Sequence, residues 1–248
     1  MGMNLELNSS LDENVLAEEF SQRGRVQIRN LLTEASARTL VAELQRLPWG
    51  LVYNDGNQVV ELDAAAVNSM PRDKGASILA AIHEGARNGY QFFYAYYPLF
   101  REYFQRRQAP TSLFAAYEFI NSETFLTFIR RVTGLEGIRW ADGQATLFTA
   151  GHFLKCHTDE VPAEQRLAAY VVNLTENWGR DWGGFLQFFD ERYDVEAYRP
   201  AFNAINIFRI PADHSVSVVA PYVRAHRYSI TGWFRGDTPP GPIPLIKE

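Results

Sequence analysis

The stretch HFLKCHTDE, His152–Glu160, places a histidine and an aspartate two positions apart, at His157 and Asp159, among apolar and aromatic residues. On an extended strand, residues i and i+2 point to the same face, with their α-carbons roughly 7 Å apart. The two side chains can therefore direct an imidazole and a carboxylate at one ion. The stretch predicts a strand that carries two ligands of a metal site.

The sequence around this stretch is typical of a β-rich core. After Gly134, short segments rich in β-branched and aromatic residues are separated by Gly, Pro, Asp and Asn: RWADGQATLFTAG, HFLKCHTD, RLAAYVVNLT, GGFLQFFD, AFNAINIFRI, HSVSVVA and RYSITGWFRG. Segments of this kind predict an antiparallel sandwich or barrel. We expect this β-core to span residues 135–240.

The first part of the chain has helical signatures. SLDENVLAEEFSQRG, Ser10–Gly24, begins with cap candidates and ends at a glycine. TEASARTLVAELQRLPW begins at the cap candidate Thr33 and stops at Pro48. RVQIRNLL, between them, alternates like a short strand.

From Asp73 to Gly134 we expect two or three further helices. They include SETFLTFIRRVTG, which starts at Ser122, and the aromatic run YQFFYAYYPLF, Tyr90–Phe100. Aromatic runs are typical of a buried core, and a lid or substrate wall is the alternative for this one.

These segments predict an α+β protein. Residues 1–134 are expected to form a mainly helical support that packs as a layer on one sheet of the β-core. With 248 residues and no linker, charge block or internal repeat, we expect a single domain over residues 1–248.

Charge and composition exclude several classes of protein. The net charge of −5 would repel phosphate backbones, so a direct nucleic-acid ligand is not expected. We expect no membrane span, because no window is long and apolar enough, and no secretion signal is apparent. A soluble cytoplasmic protein is the prediction. The single cysteine, Cys156, excludes an internal disulfide and is expected to be a small buried apolar residue.

A third metal ligand has to come from outside the opening stretch. His214 lies between two strand-like segments, where a neighbouring strand could bring it to His157 and Asp159. Two imidazoles and one carboxylate on one face of an octahedron are typical of non-haem Fe(II) sites that keep open positions. An ordinary pair of strand residues is the alternative. His83 is expected to be exposed, and His152 and His226 are expected to be loop or edge residues outside the metal shell.

The segment RYSITGW, Arg227–Trp233, adds an anion site to this prediction. Arg227 and Ser229 fall on one face of a strand, and a guanidinium beside a hydroxyl suits a carboxylate. A surface arginine is the alternative, but this one immediately precedes a run that should be buried.

The order of these blocks resembles the Fe(II)- and 2-oxoglutarate-dependent dioxygenases of the prolyl hydroxylase superfamily. The match covers about Thr146 to Gly236, and it consists of His157-Thr158-Asp159, Gly183-Gly184, His214 and Arg227 leading into YSITGW. The blocks CHTDE, WGGFLQFFD and RYSITGWFRG are most similar to the group that hydroxylates a proline of a ribosomal protein. The resemblance implies a double-stranded β-helix, or jelly roll, for the β-core.

The resemblance also implies roles for single residues. It assigns His157, Asp159 and His214 to Fe(II), and Arg227, assisted by Ser229, to the distal carboxylate of 2-oxoglutarate. Arg224 is a competing anchor, but the frame R-x-S-I-x-G-W follows Arg227. Dioxygen is the implied oxidant, with ascorbate as a supporting reductant.

The chain departs from the family at two positions where a tyrosine commonly reaches 2-oxoglutarate. The first region here reads Leu147-Phe148-Thr149, and the second reads Tyr170-Val171-Val172-Asn173. Thr149 or Asn173 could supply the missing hydrogen bond. Trp233 and Tyr170 are assigned to the substrate pocket, although strand parity would turn Tyr170 away from it.

The implied reaction is hydroxylation of a prolyl residue in a protein or peptide, with release of succinate and CO2. The translation machinery is the source that the resemblance implies, and the segment DERYDVEAYRP, Asp190–Pro200, could cover a peptide groove as an exposed loop. The alternatives are a hydroxylase of a small molecule, a jelly-roll binding module without turnover, and a zinc or cupin-like metal protein. The oligomeric state is left open.

Overall fold

The computed structural model describes residues 5–105, 111–161, 163–192 and 194–241. Its helices are α1 (Glu13–Arg23), α2 (Glu34–Leu44), α3 (Ala64–Asn68), α4 (Arg72–Asn88), α5 (Leu99–Gln105), α6 (Thr111–Ile120) and α7 (Glu123–Thr133). Its strands are β1 (Arg25–Arg29), β2 (Gly50–Asp55), β3 (Gln58–Leu62), β4 (Phe92–Tyr97), β5 (Trp140–Ala141), β6 (Gln144–Phe148), β7 (Phe153–His157), β8 (Arg166–Asn173), β9 (Leu186–Phe189), β10 (Val195–Tyr198), β11 (Ala204–Arg209), β12 (His214–Val216) and β13 (Arg227–Arg235).

The predicted helix boundaries at α1 and α7 are confirmed by their caps. The carboxylate of Asp12 accepts hydrogen bonds from the first-turn amides of α1, and Gly24 ends this helix in the left-handed conformation. The hydroxyl of Ser122 caps α7 in the same way, and Gly134 ends it with a φ of 65°. Local sequence therefore determines where both helices start and stop.

The strands form one antiparallel sheet that curls into a nearly closed barrel. Its order is β1-β11-β8-β13-β6-β4-β7-β12-β9-β10, with β2 and β3 attached to β4, and β5 attached to β13. At the seam between the two end strands, Glu196 of β10 accepts a hydrogen bond of 2.9 Å from Nε of Arg25 on β1. This topology agrees with the predicted double-stranded β-helix core.

Helices α1, α2, α5, α6 and α7 pack together on one side of this barrel, whereas α4 packs in a separate cluster against β2, β4 and β7. The largest hydrophobic cluster joins Phe125 and Ile129 of α7 to Ile205 and Ile207 of β11 and to Phe234 of β13. All five side chains are essentially inaccessible to solvent. The opposite side of β13 is left to line a cavity inside the barrel. Among the described residues, no helix is long and apolar enough to cross a membrane.

The first half of the chain contributes more strands than predicted. β2 and β3 form a hairpin in which Asp55 pairs with Gln58, and Gly56 in the turn has a φ of 60°. The loop dipeptide Gly56-Asn57 between alternating segments is a known signal for a two-residue hairpin turn, which the helical interpretation overlooked.

Two further segments also differ from their predictions. The aromatic run is not a helix, because Phe92–Tyr97 forms β4 and only the residues from Leu99 onward are helical. The stretch from Asp190 to Pro200 is not simply a loop, since it contains β10, which pairs with β9.

Candidate metal centre

The barrel brings His157, Asp159 and His214 together. His157 ends β7 and pairs in register with His214, the first residue of β12, while Asp159 follows β7 by two residues. The ligand atoms of all three lie within 4.8 Å of one another. Each Nε2 atom is 3.4 Å from a carboxylate oxygen of Asp159, His157 from Oδ1 and His214 from Oδ2. The three side chains therefore converge on one point.

Backbone carbonyls orient both imidazoles. Nδ1 of His157 donates to the carbonyl of Lys155 at 2.9 Å, and Nδ1 of His214 donates to the carbonyl of Ala212 at 2.9 Å. A carbonyl can only accept, so the proton sits on Nδ1 and the lone pair of Nε2 faces Asp159. Outer hydrogen bonds of this kind are common around ligating histidines. The donor set fits Fe(II).

The electrostatics keep Asp159 and His214 in the protonation states that metal ligands need. Burial by itself would raise the pKa of Asp159, but the neighbouring His157 and His214 outweigh it and hold that pKa below its usual value. Burial lowers the pKa of His214 despite the neighbouring carboxylate. At neutral pH the site therefore combines a carboxylate with a neutral imidazole at His214.

The three ligands line a cavity of about 470 Å³ that also contains Arg227, Ser229 and Trp233. Arg227, Ser229 and Trp233 line the cavity together because alternate residues of a strand point to the same face, here one face of β13. Trp233 stands in the wall, where the guanidinium of Arg166 stacks 3.6 Å from its ring centre. Trp233 also helps to lower the pKa of Asp159, after the larger effects of the two histidines.

Arg227 is a buried cation without an anion. It is 2% exposed, its Nε has no hydrogen-bond partner, and no carboxylate of the described residues pairs with it. Burial lowers the pKa of Arg227 to about 10, so the group is still charged at neutral pH. The guanidinium lies 5.0 Å from the ring centre of Phe148. An unpaired buried charge is costly, so this end of the cavity is suited to an anionic ligand.

Ser229 and Asn173 lie beside Arg227. The hydroxyl of Ser229 lines the cavity and is 2.9 Å from that of Thr146. Asn173 pairs with Ser229 in the β8–β13 register and is fully buried. Its Nδ2 donates to the carbonyl of Val171 at 3.3 Å, and its Oδ1 has no partner. A role of Asn173 toward 2-oxoglutarate remains a prediction.

Two predicted site residues lie elsewhere. Thr149 is in the turn after β6, where its hydroxyl is 3.3 Å from Nε2 of His152, and it does not line the cavity. Tyr170 belongs to the main core, with its hydroxyl donating to the carbonyl of Asp142 at 2.7 Å. The assignment of Tyr170 to the substrate pocket is wrong because strand parity turns it to the helix-covered face of β8.

The other candidates are also placed by the structure. His83, His226 and Arg224 are exposed, which leaves Arg227 as the buried arginine of this pair. His152 lies outside the metal cluster but is buried rather than at an exposed edge. Cys156 is exposed, contrary to the prediction, because it faces away from the cavity on a side of β7 that is open to solvent.

The aromatic run Tyr90–Phe100, for which a substrate wall was the alternative prediction, forms one wall of the cavity. Alternate residues of the aromatic run face the cavity, whereas Phe93 and Tyr97 of the same strand pack into hydrophobic clusters on the other side. The run therefore serves both the core and the site. Its period-two alternation was the available signal. The cavity-facing residues of this run are Tyr90, Phe92, Tyr94, Tyr96, Pro98 and Phe100.

Comparison with protein families identifies the same region of the chain. Residues 143–235 match the model of the 2OG-Fe(II) oxygenase superfamily. Prolyl 3-hydroxylase OGFOD1 of Mus musculus is 30% identical over 122 residues, which are 46% of this chain. The matched part is 22% of the length of that relative.

Solved structures of related architecture span most of the chain. A Pseudomonas putida prolyl-4-hydroxylase is 17% identical and has a TM-score of 0.54, with 92% of this chain and 100% of that chain covered. A prolyl hydroxylase from Trichoplax adhaerens, in complex with a hypoxia inducible factor oxygen degradation domain peptide fragment, is 16% identical and has a TM-score of 0.58. That match covers 90% of this chain and 89% of the other. At these identities the likeness supports the fold.

Proposed function

We propose, from the match of residues 143–235 to the 2OG-Fe(II) oxygenase superfamily model, that this protein is an Fe(II)- and 2-oxoglutarate-dependent hydroxylase. Its proposed substrate is a prolyl residue in a protein or peptide. The observation that carries the proposal is the presence, in one cavity, of the His157–Asp159–His214 cluster and the unpaired cation Arg227. A metal site alone would fit many proteins, whereas a metal site facing a buried anion site fits a chelating carboxylate.

Each residue has a defined task in this function. His157, Asp159 and His214 would hold Fe(II), and Arg227 would pair with the distal carboxylate of 2-oxoglutarate, with Ser229 beside it. Bound together with dioxygen, Fe(II) and 2-oxoglutarate supply the oxidation of an unactivated C–H bond to an alcohol, releasing succinate and CO2. The protein contributes geometry and a largely apolar cavity that limits water at the site.

The substrate part of the proposal rests on the relatives and on the cavity walls. The relatives named above are prolyl hydroxylases, and one of them was solved with a peptide. Aromatic rings such as those of Tyr90 and Trp233 suit the apolar ring of a proline. We further propose a protein of the translation machinery as the source of the peptide, a cytoplasmic location, and support of turnover by ascorbate.

An anaerobic titration tests the proposal. The metal-free protein is titrated with Fe(II) and then with 2-oxoglutarate, and visible absorption is recorded. We expect a weak charge-transfer band that needs both additions. No band, or tight binding of zinc instead of iron, would contradict the oxygenase assignment.

Peptide pools from ribosomal proteins then test the substrate. We expect 2-oxoglutarate-dependent addition of one oxygen atom to a proline-containing peptide, measured by mass spectrometry, and none to the same peptide with that proline replaced by alanine. Turnover of free proline without any peptide product would instead support a small-molecule hydroxylase.

A further inference from the structure

The phenol of Tyr94 is a cavity group for which the sequence interpretation had no role. Tyr94 lies on β4, lines the cavity, and stacks on Phe148 of the neighbouring strand β6 with ring centres 5.0 Å apart and planes 16° apart. The same ring of Phe148 lies against the guanidinium of Arg227 at 5.0 Å. Tyr94 is thus held in place one ring away from the cation of the anion site.

The hydroxyl of Tyr94 has an unused hydrogen. Nε2 of Gln144 donates to the phenol oxygen at 3.3 Å, so this oxygen serves as an acceptor there. No described residue accepts a hydrogen bond from the hydroxyl in return. Burial raises the pKa of Tyr94 to about 12, and the group therefore keeps its proton at neutral pH. A neutral phenol that accepts one bond and has a free O–H is a donor directed into the cavity.

Strand register defines where this donor lies. Arg227 pairs with Phe148, and Thr231 pairs with Gln144, in the β13–β6 ladder. Gln144, the partner of the phenol, therefore lies level with Thr231, which is further along β13 from Arg227 in the direction of Trp233. The charge of Asp159 also reaches Tyr94, since it contributes to the raised pKa of the phenol after burial. The phenol oxygen accordingly lies beside Gln144, on the side of Arg227 that faces Trp233 along β13.

We propose that the Tyr94 hydroxyl donates a hydrogen bond to an oxygen of 2-oxoglutarate on the metal side of Arg227. This inference rests on the proposed function. Arg227 alone would fix one end of a flexible dicarboxylate, and a second donor would fix its orientation toward the metal ligands. The phenol comes from β4, outside the residues 143–235 that match the family model, so the chain completes its site from the N-terminal half.

The test compares 2-oxoglutarate binding in Tyr94→Phe and in the wild type. This substitution keeps the ring and its stacking on Phe148 and removes the O–H. In the anaerobic titration with Fe(II) present, we expect the Kd for 2-oxoglutarate to rise about tenfold, the effect of losing one hydrogen bond to a charged group. Fe(II) binding, measured before 2-oxoglutarate is added, should be unchanged.

The matched control is Tyr97→Phe. Tyr97 lies on the same strand but on the face that packs into the core, so this variant also loses a hydroxyl from β4 while the cavity stays intact. Its Kd for 2-oxoglutarate should equal that of the wild type.

The outcomes separate the two proposals. A normal band in the wild type with the same Kd in Tyr94→Phe would overturn the role of Tyr94 and leave the proposed function standing. An unchanged Kd with a raised KM for a peptide substrate would likewise overturn it, and would assign the phenol to the substrate. The absence of a band in the wild type itself would instead count against the proposed function.

Discussion

His214 pairs with His157 in the register of β7 and β12, and the centres of the two imidazole rings lie 4.3 Å apart. The strand ladder therefore brings the ligands together, and carbonyls of Lys155 and Ala212 hold their rings. The strand register and these two carbonyls therefore set the geometry of the candidate ligands. Because the fold fixes these side chains, we expect each single substitution to have its own distinct effect.

Asp159→Ala should abolish Fe(II) binding and hydroxylation while the fold persists. Loss of the carboxylate leaves two imidazoles without an anionic ligand, and we expect Fe(II) affinity to fall by at least about a hundredfold. Equilibrium metal binding and succinate formation measure the effect, and circular dichroism checks the fold. Glu160→Ala is the matched control, because it removes the neighbouring exposed carboxylate. Normal turnover in Asp159→Ala would exclude the proposed metal site.

Arg227→Met should separate cosubstrate binding from stability. The substitution removes a buried charge that has no anionic partner, so the midpoint of thermal unfolding without ligand should equal or exceed that of the wild type. With Fe(II) present, 2-oxoglutarate at a hundred times its Kd should stabilise the wild type by about 2.7 kcal/mol and should not stabilise the variant.

The control for this experiment is Arg224→Met. Arg224 is the exposed arginine that competes with Arg227 as anchor, and its loss should leave the thermal shift intact. A full shift in Arg227→Met together with a lost shift in Arg224→Met would reverse the assignment of the anchor.

His152 should make stability dependent on pH. Burial lowers the pKa of this imidazole to about 4, below the value of about 6.5 in an unfolded chain. Between these values the unfolded state binds more protons, so the free energy of unfolding falls as the pH falls from about 6.5 toward 4. At pH 5 the expected loss is about 2 kcal/mol relative to pH 7.

Urea unfolding of the wild type and His152→Gln at the two pH values isolates this contribution. Glutamine does not titrate, so the variant should lose about 2 kcal/mol less than the wild type between pH 7 and pH 5. Equal losses in the two proteins would show that His152 is not the responsible group.

Gly183→Ala should be strongly destabilising. Gly183 has a φ of 69°, and an added Cβ would lie 1.9 Å from the carbonyl oxygen of Val218. Strain and the clash together should cost about 3 kcal/mol or more in urea unfolding. Gly89→Ala is the control, since Gly89 is extended at a φ of −177° and an added Cβ would meet no atom within 4 Å. Similar stability of the two variants would contradict the structural role of Gly183.

Much of the metal site could be predicted because its signals are local. His157 and Asp159 share a face through simple strand alternation, and Arg227 precedes a run that has to be buried. The separation between α1 and β1 also follows from a glycine that ends the helix. Because these features depend only on residues that are close in sequence, they can be predicted without knowing which strands pair across the sheet.

The second anchor region could not be predicted in this way. The family pattern suggested Thr149 or Asn173 as the second contact of 2-oxoglutarate, whereas the structure presents a phenol from β4, at Tyr94, to the same cavity. No sequence spacing relates β4 to β6, because their pairing is set by the order of the sheet. Because the aromatic run was interpreted as a helix, its alternate residues were not predicted to share one face toward the cavity.

The sequence by itself determined the residue types of the His157–Asp159–His214 cluster, the spacing of His157 and Asp159 and, through the family resemblance, the jelly-roll class. Only the tertiary structure decided which face of each strand meets the cavity and which meets the helices or solvent. Alternation in the sequence defines the two faces of a strand but does not show which face is inside the barrel. That is decided by the closure of the barrel and by the layer packed outside it. Tyr170 is therefore a core residue, Cys156 faces solvent, and Tyr94 faces the metal site.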